Sequence, residues 1–532
     1  MKFKSHYIPY HKTGAFSKIV EDYLNGENSL KEFYEHDPDL AGIKKAIKER
    51  KKYNYNRSLL VNELNKQYSN ADTNEKVKAN IDTLLNENTF TICTAHQPNI
   101  FTGHLYFIYK ILHAIKLADK LNSKIKDAHF VPVYYMGSED ADLAELGEVS
   151  INGKKYEWKT KQKGAVGRMK IDKIFIDLVN EIEGQLSVEK YGNEILALVK
   201  RSYTLGKTIE QATFEFVNTL FEDKGLIVFL PDNAALKNES YSINERELTE
   251  QFSEKIVAET IASFPKKYKV QAAGREINLF YLKDDTRERI EKYKEGFIVA
   301  NTETRFTKEE ILSELKQHPE RFSPNVILRP VFQEMILPNI AFIGGGGELA
   351  YWLELKKVFH AVKVPFPVLM LRNSFMIVNK KLAAGISKLQ FKTTDLFKPS
   401  AALIEELVKR ESKLILSLAE ERKAVQSLYK KMQSAATAVD VTLNKHVDAL
   451  AIQALKRIDS LEKKMLKAEK KKFEAAQRQI IKIKEALFPG GTLQERVDNL
   501  LPFYAVWGKE FIELLYENST ADEQEFCILE EK

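Results

Sequence analysis

Cysteine is scarce in this chain, and long apolar runs are absent. Two cysteines among 532 residues, Cys93 and Cys527, are too few for a disulfide framework or a thiolate zinc site. No run of about 18 apolar residues predicts a transmembrane helix, and the N-terminus lacks the apolar stretch of a secretory signal. We therefore expect a cytoplasmic protein with no membrane partner, whose length suggests roughly two to four domains.

Several familiar motifs are also missing. The sequence has no Walker loop and no G-x-G-x-x-G after a strand, and its ten histidines show no zinc spacing. We find no Ser-His-Asp or Cys-His set. Cys93 lies in an apolar strand and is expected to be a buried small hydrophobe. No metal is predicted.

Charge of one sign is concentrated in a single segment. The net charge is +6, and the segment from Lys456 to Lys484 alone holds eleven Lys or Arg against four Asp or Glu, an excess of +7. The rest is close to neutral, so nucleic acid is not an expected partner. We interpret the segment as the solvated face of a helical rod. A rod that holds RNA is the alternative.

That rod is the clearest element of the sequence. Residues 400 to 488 contain neither glycine nor proline, and ten positions from Leu407 to Val439 follow alternating spacings of four and three, eight of them apolar. A second seam uses Ile458, Leu461, Met465 and Ala468. Heptad spacing predicts a coiled coil. We expect it to fold back near residues 435 to 444, where Thr and Val weaken the helix.

An α/β pattern precedes the rod. Strand-like Thr89–Ala95, a polar turn, a helical segment from Leu105 to Leu121 and strand-like Phe130–Met136 form a βαβ unit, which predicts a parallel sheet. Ligands of such sheets usually lie beyond the carboxyl ends of the strands. Further strand signals occur at 225–230, 324–328, 341–343 and 364–371.

These patterns divide the chain into four predicted regions. Residues 1–88 form a mainly helical lead-in, and 89–395 form the α/β core, with inserted subdomains between about 150 and 320. Residues 396–488 form an antiparallel or dimerising coiled coil. Residues 489–532 supply a C-terminal helix that packs back on the core.

The loop Gln97–His104 lies between the first core strand and its helix. Backbone amides at a helix start can receive phosphate oxygens, Gly103 lets the backbone approach a ligand, and His104 is expected to donate to charge on an α-phosphate. The candidate catalytic residues are Asn99, Thr102, His104 and Lys110, with Gly103 as a cofactor-binding residue. An ordinary turn before a helix is the alternative interpretation.

An acidic loop follows the second core strand. Clustered carboxylates suit an amine or sugar hydroxyls, and they could also hold Mg²⁺ beside a nucleotide. The candidate substrate-binding residues here are Ser138, Glu139, Asp140 and Asp142. A solvated loop without a ligand is the alternative.

A third constellation lies between residues 323 and 352. Four consecutive glycines lose much backbone entropy when they become ordered, which is easier to explain at a loop that contacts a ligand than in a packing element. The candidate substrate-binding residues are Asn325, Arg329, Gln333, Glu348, Tyr351 and Trp352. The candidate cofactor-binding residues are Gly344, Gly345, Gly346 and Gly347. A structural ion pair for the arginine and a hinge for the glycines are the alternatives.

A last glycine turn follows the rod. Gly490, Gly491 and Arg496 could bind an anion at a helix start, although such a turn more often ends a rod and caps the next helix. Arg372 is a further candidate for cofactor binding.

Taken together, these segments resemble the bacillithiol-biosynthesis cysteine-adding enzymes. The matching stretches occur in family order over about 400 residues: 101–110, 130–135 with Glu139-Asp140, 322–330, 346–352 and 494–497. The resemblance implies a Rossmann-like core of nucleotidyl-transferase type with connective-peptide insertions and a dimerising coiled coil. It also implies a ligase that joins the carboxyl group of cysteine to the amine of glucosaminyl-malate.

By analogy with class I aminoacyl-tRNA synthetases, ATP would activate the cysteine. Their His-x-Gly-His tetrad reads Phe101-Thr-Gly-His104 here, and no Lys-Met-Ser-Lys-Ser-like loop is present. The family commonly has Gly-Pro where this chain has Gly103-His104, and Gly-Pro-Gly-Glu where it has three glycines before Glu348. The alternative functions are a nucleotidyl transferase or RNA-binding protein, and a scaffold that binds nucleotide only as a structural element.

Overall fold

The computed structural model describes residues 2–283, 285–412, 414 and 416–532. The chain divides into two compact units. The core unit comprises Ser5–Met376 and Thr492–Leu529, and the hairpin unit comprises Lys2–Lys4, Ile377–Gly491 and Glu530–Lys532. Within the described ranges, no helix is both long and apolar enough to cross a membrane.

Strands and helices are numbered in chain order. The strands of the described residues, β1 to β15, are Phe3–Pro9, Thr89–His96, His129–Met136, Glu148–Ile151, Lys154–Glu157, Ile227–Phe229, Leu279–Lys283, Thr286–Tyr293, Gly296–Val299, Arg305–Phe306, Phe322–Pro324, Asn339–Gly344, Val368–Leu371, Ser374–Val378 and Glu525–Glu531. The α-helices, α1 to α23, are Lys18–Leu24, Leu40–Arg50, Arg57–Tyr68, Glu75–Thr83, Leu105–Lys124, Leu143–Leu146, Lys173–Leu186, Gly192–Ser202, Ile209–Phe221, Ala234–Asn238, Tyr241–Glu250, Phe252–Ser263, Lys308–Gln317, Arg329–Ile336, Gly346–Trp352, Lys356–Ala361, Lys380–Lys388, Ser400–Glu411, Ala419–Val439, Leu443–Lys470, Glu474–Leu487, Leu500–Trp507 and Lys509–Asn518.

A parallel sheet in the order β13-β12-β2-β3-β6 forms the centre of the core unit. Every residue of β2 is buried, and its ladder with β3 runs from Thr89 opposite His129 to His96 opposite Met136. Strands buried on both faces require covering helices, and α5 packs on β2 and β3. The predicted βαβ unit is confirmed, and so is the α/β class of the core.

The helix α5 is buried along most of its length, and it carries two polar side chains into the interior. Four of its apolar residues, from Ala114 to Leu121, pack in one cluster with Phe90 of β2, Ile343 of β12 and Met370 of β13. Lys110 and His113, on the same helix, are also buried. A buried polar group destabilises a fold unless it is hydrogen-bonded, and both side chains have partners.

A second sheet is antiparallel, in the order β10-β9-β8-β7-β11, and most of it falls in the segment where insertions were predicted. The predicted strand over residues 324–328 is wrong, because β11 already ends at Pro324. The Asn325 side chain accepts a hydrogen bond from Ile327 N at 2.9 Å, and the Asn325 backbone carbonyl oxygen accepts one from Arg329 N at 2.8 Å. These bonds form a turn that starts α14, and side-chain bonds of this kind compete with strand pairing.

The first element also differs from expectation. Residues 3–9, in a region expected to be mainly helical, form β1. Helices α1 to α4 then follow, between Lys18 and Thr83.

In the hairpin unit, α19 and α20 form an antiparallel pair. Arg422 of α19 contacts Asp459 of α20 at 3.2 Å, and Gln433 bonds Asp448 at 2.6 Å, so residues farther along α19 meet residues earlier in α20. The chain reverses between Val439 and Leu443, inside the segment predicted from its weak helix formers. The coiled coil is confirmed as a fold-back hairpin within one chain.

His113 connects three distant parts of the core unit. Its Nδ1 accepts a hydrogen bond from Asn373 N at 3.2 Å, and its Nε2 lies 2.8 Å from the carbonyl oxygen of Ala521. The ring therefore carries its proton on Nε2, because a carbonyl oxygen can only accept. Burial lowers the pKa of His113 to about 4.

We predict that replacing His113 by Leu lowers the free energy of unfolding at pH 7.5 by about 1–3 kcal/mol, because two buried groups lose their partner. The pKa in the fold lies below the value of about 6.5 in an unfolded chain. The neutral ring thus contributes stability above pH 6.5, and this contribution falls as the pH drops towards 4. Urea unfolding at several pH values should show a weaker loss of stability between pH 6.5 and 4 in the variant. An unchanged pH dependence would contradict the assignment.

Candidate active site

A cleft of about 600 Å³ opens at the carboxyl ends of the central strands. Ala95 and His96 from the end of β2, Tyr135 near the end of β3, and Gly345 just after β12 contribute to its walls. The site therefore lies where parallel sheets of this kind usually bind ligands.

Thirteen of the residues predicted from the sequence line this cleft. They are His104, Lys110, Glu139, Asp140, Asn325, Arg329, Gly345, Gly346, Gly347, Glu348, Tyr351, Arg372 and Arg496. The structure thus brings together four segments that are far apart in the chain. Their individual roles remain predictions.

The other predicted residues lie elsewhere. Asn99, Thr102, Ser138, Gln333 and Trp352 are buried in the core unit. Trp352 stacks on Phe342, with 4.4 Å between ring centroids, as part of an aromatic core. A Cβ on Gly344 would lie 2.9 Å from the Leu349 and Phe342 side chains, so packing favours glycine at this position. Gly490 and Gly491 belong to the hairpin unit.

The loop before α5 has an unusual backbone. Phe101, Thr102 and Gly103 all have positive φ angles of 51°, 70° and 60°, which costs energy in residues that carry a Cβ. Asn499 stabilises this conformation by donating hydrogen bonds from Nδ2 to the carbonyl oxygens of Phe101 and Gly103. Sequence spacing could not show this support, because the two segments lie almost 400 residues apart.

His104 follows this loop, and its partner determines its chemistry. Nδ1 lies 3.2 Å from the carbonyl oxygen of Val497, so Nδ1 carries the proton, and Nε2 of the neutral ring is an acceptor. Burial lowers the pKa of His104 and disfavours the imidazolium form. The expectation that His104 donates to a phosphate is therefore wrong for the neutral ring, which has no second N–H to offer.

The buried Lys110 and the partly exposed Glu348 form an ion pair in the wall of the cleft. The Lys110 ammonium also donates to the carbonyl oxygen of Ala95 at 2.9 Å, and burial lowers its pKa. The Glu348 carboxylate accepts a second hydrogen bond from Gly345 N at 2.8 Å. One carboxylate therefore connects the glycine loop to the helix α5.

Arg329 has neutral partners only. Its guanidinium donates to Gln333 Oε1 and to the Tyr351 hydroxyl, both at 3.0 Å, and it lies over the Tyr135 ring. Among the described residues no carboxylate lies within ion-pair distance, so the alternative of a structural ion pair is wrong. Its charge remains available to an anion in the cleft.

The two remaining arginines among the predicted residues differ in their surroundings. Arg372 is buried and pairs with Glu495 at 2.7 Å. It lies over the Tyr106 ring. Arg496 is exposed at the edge of the cleft and has no ion-pair partner among the described residues. Arg372 is thus anchored by the protein, whereas Arg496 is available to a ligand.

Three carboxylates form what we call the acidic wall of the cleft. Glu139 and Asp140 line the cleft together with Glu145. Asp140 accepts a hydrogen bond from Gln97 Nε2 at 3.2 Å. Asp142 instead caps the short helix α6 through Glu145 N at 3.1 Å, which explains this carboxylate without a ligand.

Sequence reasoning missed several residues that line the cleft. His96 is the last residue of β2, and burial holds its pKa well below the usual range. Arg287 reaches the cleft from β8 in the inserted antiparallel sheet and lies 3.9 Å from the Phe280 ring centroid. The position of His96 at a strand end was a usable signal. No local pattern indicates Arg287.

The fold and the cleft define an α/β enzyme of Rossmann-like type with an attached coiled coil. Two family models cover nearly the whole chain. Residues 3–373 match the N-terminal Rossmann-like domain of the bacillithiol biosynthesis protein BshC, and residues 375–531 match its C-terminal coiled-coil domain. The chain belongs to the BshC family, and the family resemblance inferred from the motifs is confirmed.

Curated relatives agree over the full length. A protein of Flavobacterium johnsoniae is 38% identical over 98% of this chain and 99% of its own. One of Flavobacterium psychrophilum is 40% identical over 95% of both chains, and one of Christiangramia forsetii is 38% identical over 98% of both. All three bear the name "Putative cysteine ligase BshC". These names support the ligase interpretation, and they do not favour an RNA-binding protein or a scaffold.

We predict that Gly103→Ala destabilises the core unit more than Gly153→Ala does. Both glycines have positive φ angles, 60° and 77°. A Cβ on Gly103 would also lie 2.7 Å from the Cβ of Asn99, whereas a Cβ on Gly153 would meet nothing within 4 Å. The free energy of unfolding should fall by about 1 kcal/mol in the Gly153→Ala control. In Gly103→Ala it should fall by about 1–3 kcal/mol more than in the control. Equal losses in thermal unfolding would refute the steric argument.

Proposed function

We propose that this protein is a ligase that joins the carboxyl group of cysteine to the amine of glucosaminyl-malate, the last step of bacillithiol biosynthesis. The observation that carries the proposal is that one cleft is lined both by carboxylates and by arginines that have no carboxylate partner in the described part of the chain. An amine and several carboxylates must meet in this reaction, and these lining residues suit the opposite charges.

The acidic wall supports binding of the amino groups. Glu139, Asp140 and Glu145 all line the cleft. Ammonium groups form their strongest hydrogen bonds with carboxylates, so this wall would receive the glucosamine nitrogen or the amino group of cysteine.

The arginines support binding of the carboxylates. Arg329 is held in place by Gln333 and Tyr351, neither of which neutralises it. Guanidinium groups bind carboxylates in a bidentate geometry. We assign Arg329 to the malate group, which has two carboxylates.

ATP is proposed as the activating co-substrate, and the residues present fit a polyanion. Gly345, Gly346 and Gly347 line the cleft without side chains, and a Cβ on Gly347 would meet nothing within 4 Å. The backbone amides of Gly346 and Gly347, together with Arg496, would hold phosphate oxygens. ATP would supply the leaving group that activates the cysteine carboxyl.

The neutral His104 would act as a hydrogen-bond acceptor for a substrate N–H or O–H. The Val497 carbonyl fixes the orientation of its ring, and pre-oriented groups lower the cost of reaching a reactive geometry. A homodimer through the coiled coil is a further proposal that rests on the family resemblance, and a cytoplasmic location is one that rests on the scarcity of cysteine.

The direct test is incubation of the purified protein with cysteine, glucosaminyl-malate and ATP, followed by mass spectrometry. We expect bacillithiol to form only when all three are present. Absence of bacillithiol under every condition, with the protein folded by circular dichroism, would refute the ligase assignment. Formation without ATP would refute the proposed activation step alone.

We predict that Arg329→Met raises KM for glucosaminyl-malate by about 10- to 100-fold, the loss expected when one charged hydrogen-bonding partner is removed. The KM for cysteine should change much less. Steady-state kinetics with each substrate varied in turn measures both values. Arg246→Met, at an arginine that does not line the cleft, is the control, and an equal rise for both substrates would contradict the malate assignment.

A further inference from the structure

Glu139 differs from the other carboxylates of the acidic wall. It follows the carboxyl end of β3 and lines the cleft, although only 8% of the residue is exposed. Its Oε1 atom accepts a hydrogen bond from the buried Lys237 ammonium. Its Oε2 atom accepts no hydrogen bond from the described residues. One oxygen is therefore held by the protein, and the other is available in the cleft.

Every N–H group of the Lys237 ammonium has an acceptor in the protein. Besides Glu139, it donates to Asp232 Oδ1 at 2.9 Å and to the carbonyl oxygen of Glu320 at 3.0 Å. Asp232 is held in turn by two hydrogen bonds from Arg168, at 2.7 and 2.8 Å. An ammonium group has three N–H donors, so Lys237 has no donor left for a substrate. Its role is to fix the orientation and charge of Glu139.

The groups around Glu139 shift the pKa of its carboxyl in opposite directions. Burial raises the pKa of the Glu139 carboxyl, and Lys237 opposes that rise. The other groups that influence or face it are Asp232, Arg168, Glu210, Arg287 and Tyr135. Burial also raises the pKa of Glu210, to about 7. A carboxylate in such surroundings is a better proton acceptor than an exposed one.

We propose that Glu139 is the general base that removes the proton from the attacking amine. This inference rests on the proposed function. The ammonium form of glucosaminyl-malate has no lone pair and cannot attack. In the proposed step, Glu139 Oε2 takes one N–H proton, and the nitrogen lone pair forms the C–N bond to the activated cysteine carboxyl. The phosphate-type leaving group departs with the electron pair of the C–O bond. The second N–H proton is lost to solvent as the amide forms.

The test compares two nucleophiles in the full-length protein. Wild type and Glu139→Gln are each supplied with ATP and cysteine, and with either glucosaminyl-malate or hydroxylamine, which is largely uncharged at pH 7.5 and needs no base to become nucleophilic. Mass spectrometry measures bacillithiol and cysteine hydroxamate. The ratio of bacillithiol to hydroxamate should fall about 100-fold in Glu139→Gln, the usual contribution of a general base.

The controls separate the possible failures. Glu157→Gln changes an exposed carboxylate outside the cleft and should leave the ratio as in wild type. If Glu139→Gln also shows the wild-type ratio, the base assignment is wrong and the ligase assignment stands. If wild type itself forms no bacillithiol, the proposed function fails, and the inference fails with it.

Two further variants test Lys237 as a positioning residue. Lys237→Met removes the charge that favours the Glu139 carboxylate, so the acidic limb of the kcat/KM profile should move to higher pH. Asp232→Asn removes a charge that raises the pKa of Glu139, so the limb should move to lower pH. Structural damage alone would not shift the acidic limb in opposite directions in the two variants. If the limb stays in place in both, the assignment of Lys237 as a positioning residue is wrong.

Discussion

The pairing of β2 with β3 on one side and with β12 on the other is the interaction on which the active-site cleft depends. All three strands are parallel, so their carboxyl ends meet at one edge. β2 is buried along its whole length, and a shift of one residue in register would move every side chain to the other face. The pairing of these strands therefore determines which loops lie next to one another at this edge and at which residue each loop begins.

The loops at that edge need support from elsewhere in the chain. The left-handed backbone from Phe101 to Gly103 is costly by itself, and Asn499 compensates by binding two of its carbonyl oxygens. The same C-terminal segment orients His104 through Val497. Buried ion pairs such as Arg372–Glu495 hold the walls, since loss of one partner would leave the other charge uncompensated.

Much of the fold could be predicted because its signals are local. Apolar runs and helical periodicity located β2, α5 and β3 to within about three residues of their observed ends, and weak helix formers located the reversal between α19 and α20. The turn after Pro324 was missed, because the Asn325 side chain outweighed the strand preference of the apolar residues that follow it. The predicted strand ends likewise indicated which loops would line most of the cleft.

By itself, the sequence determined the central βαβ unit, the coiled coil and the loops that carry polar side chains, because these depend on neighbours within a few residues, and the order of its motifs indicated the family. Only the tertiary structure decided which charges are neutralised. Arg372 meets Glu495, Glu139 meets Lys237, and Arg329 meets no carboxylate among the described residues. Arg287 enters the cleft from an inserted sheet. These pairings depend on chain segments that approach only when the core folds, so no spacing along the chain can reveal them.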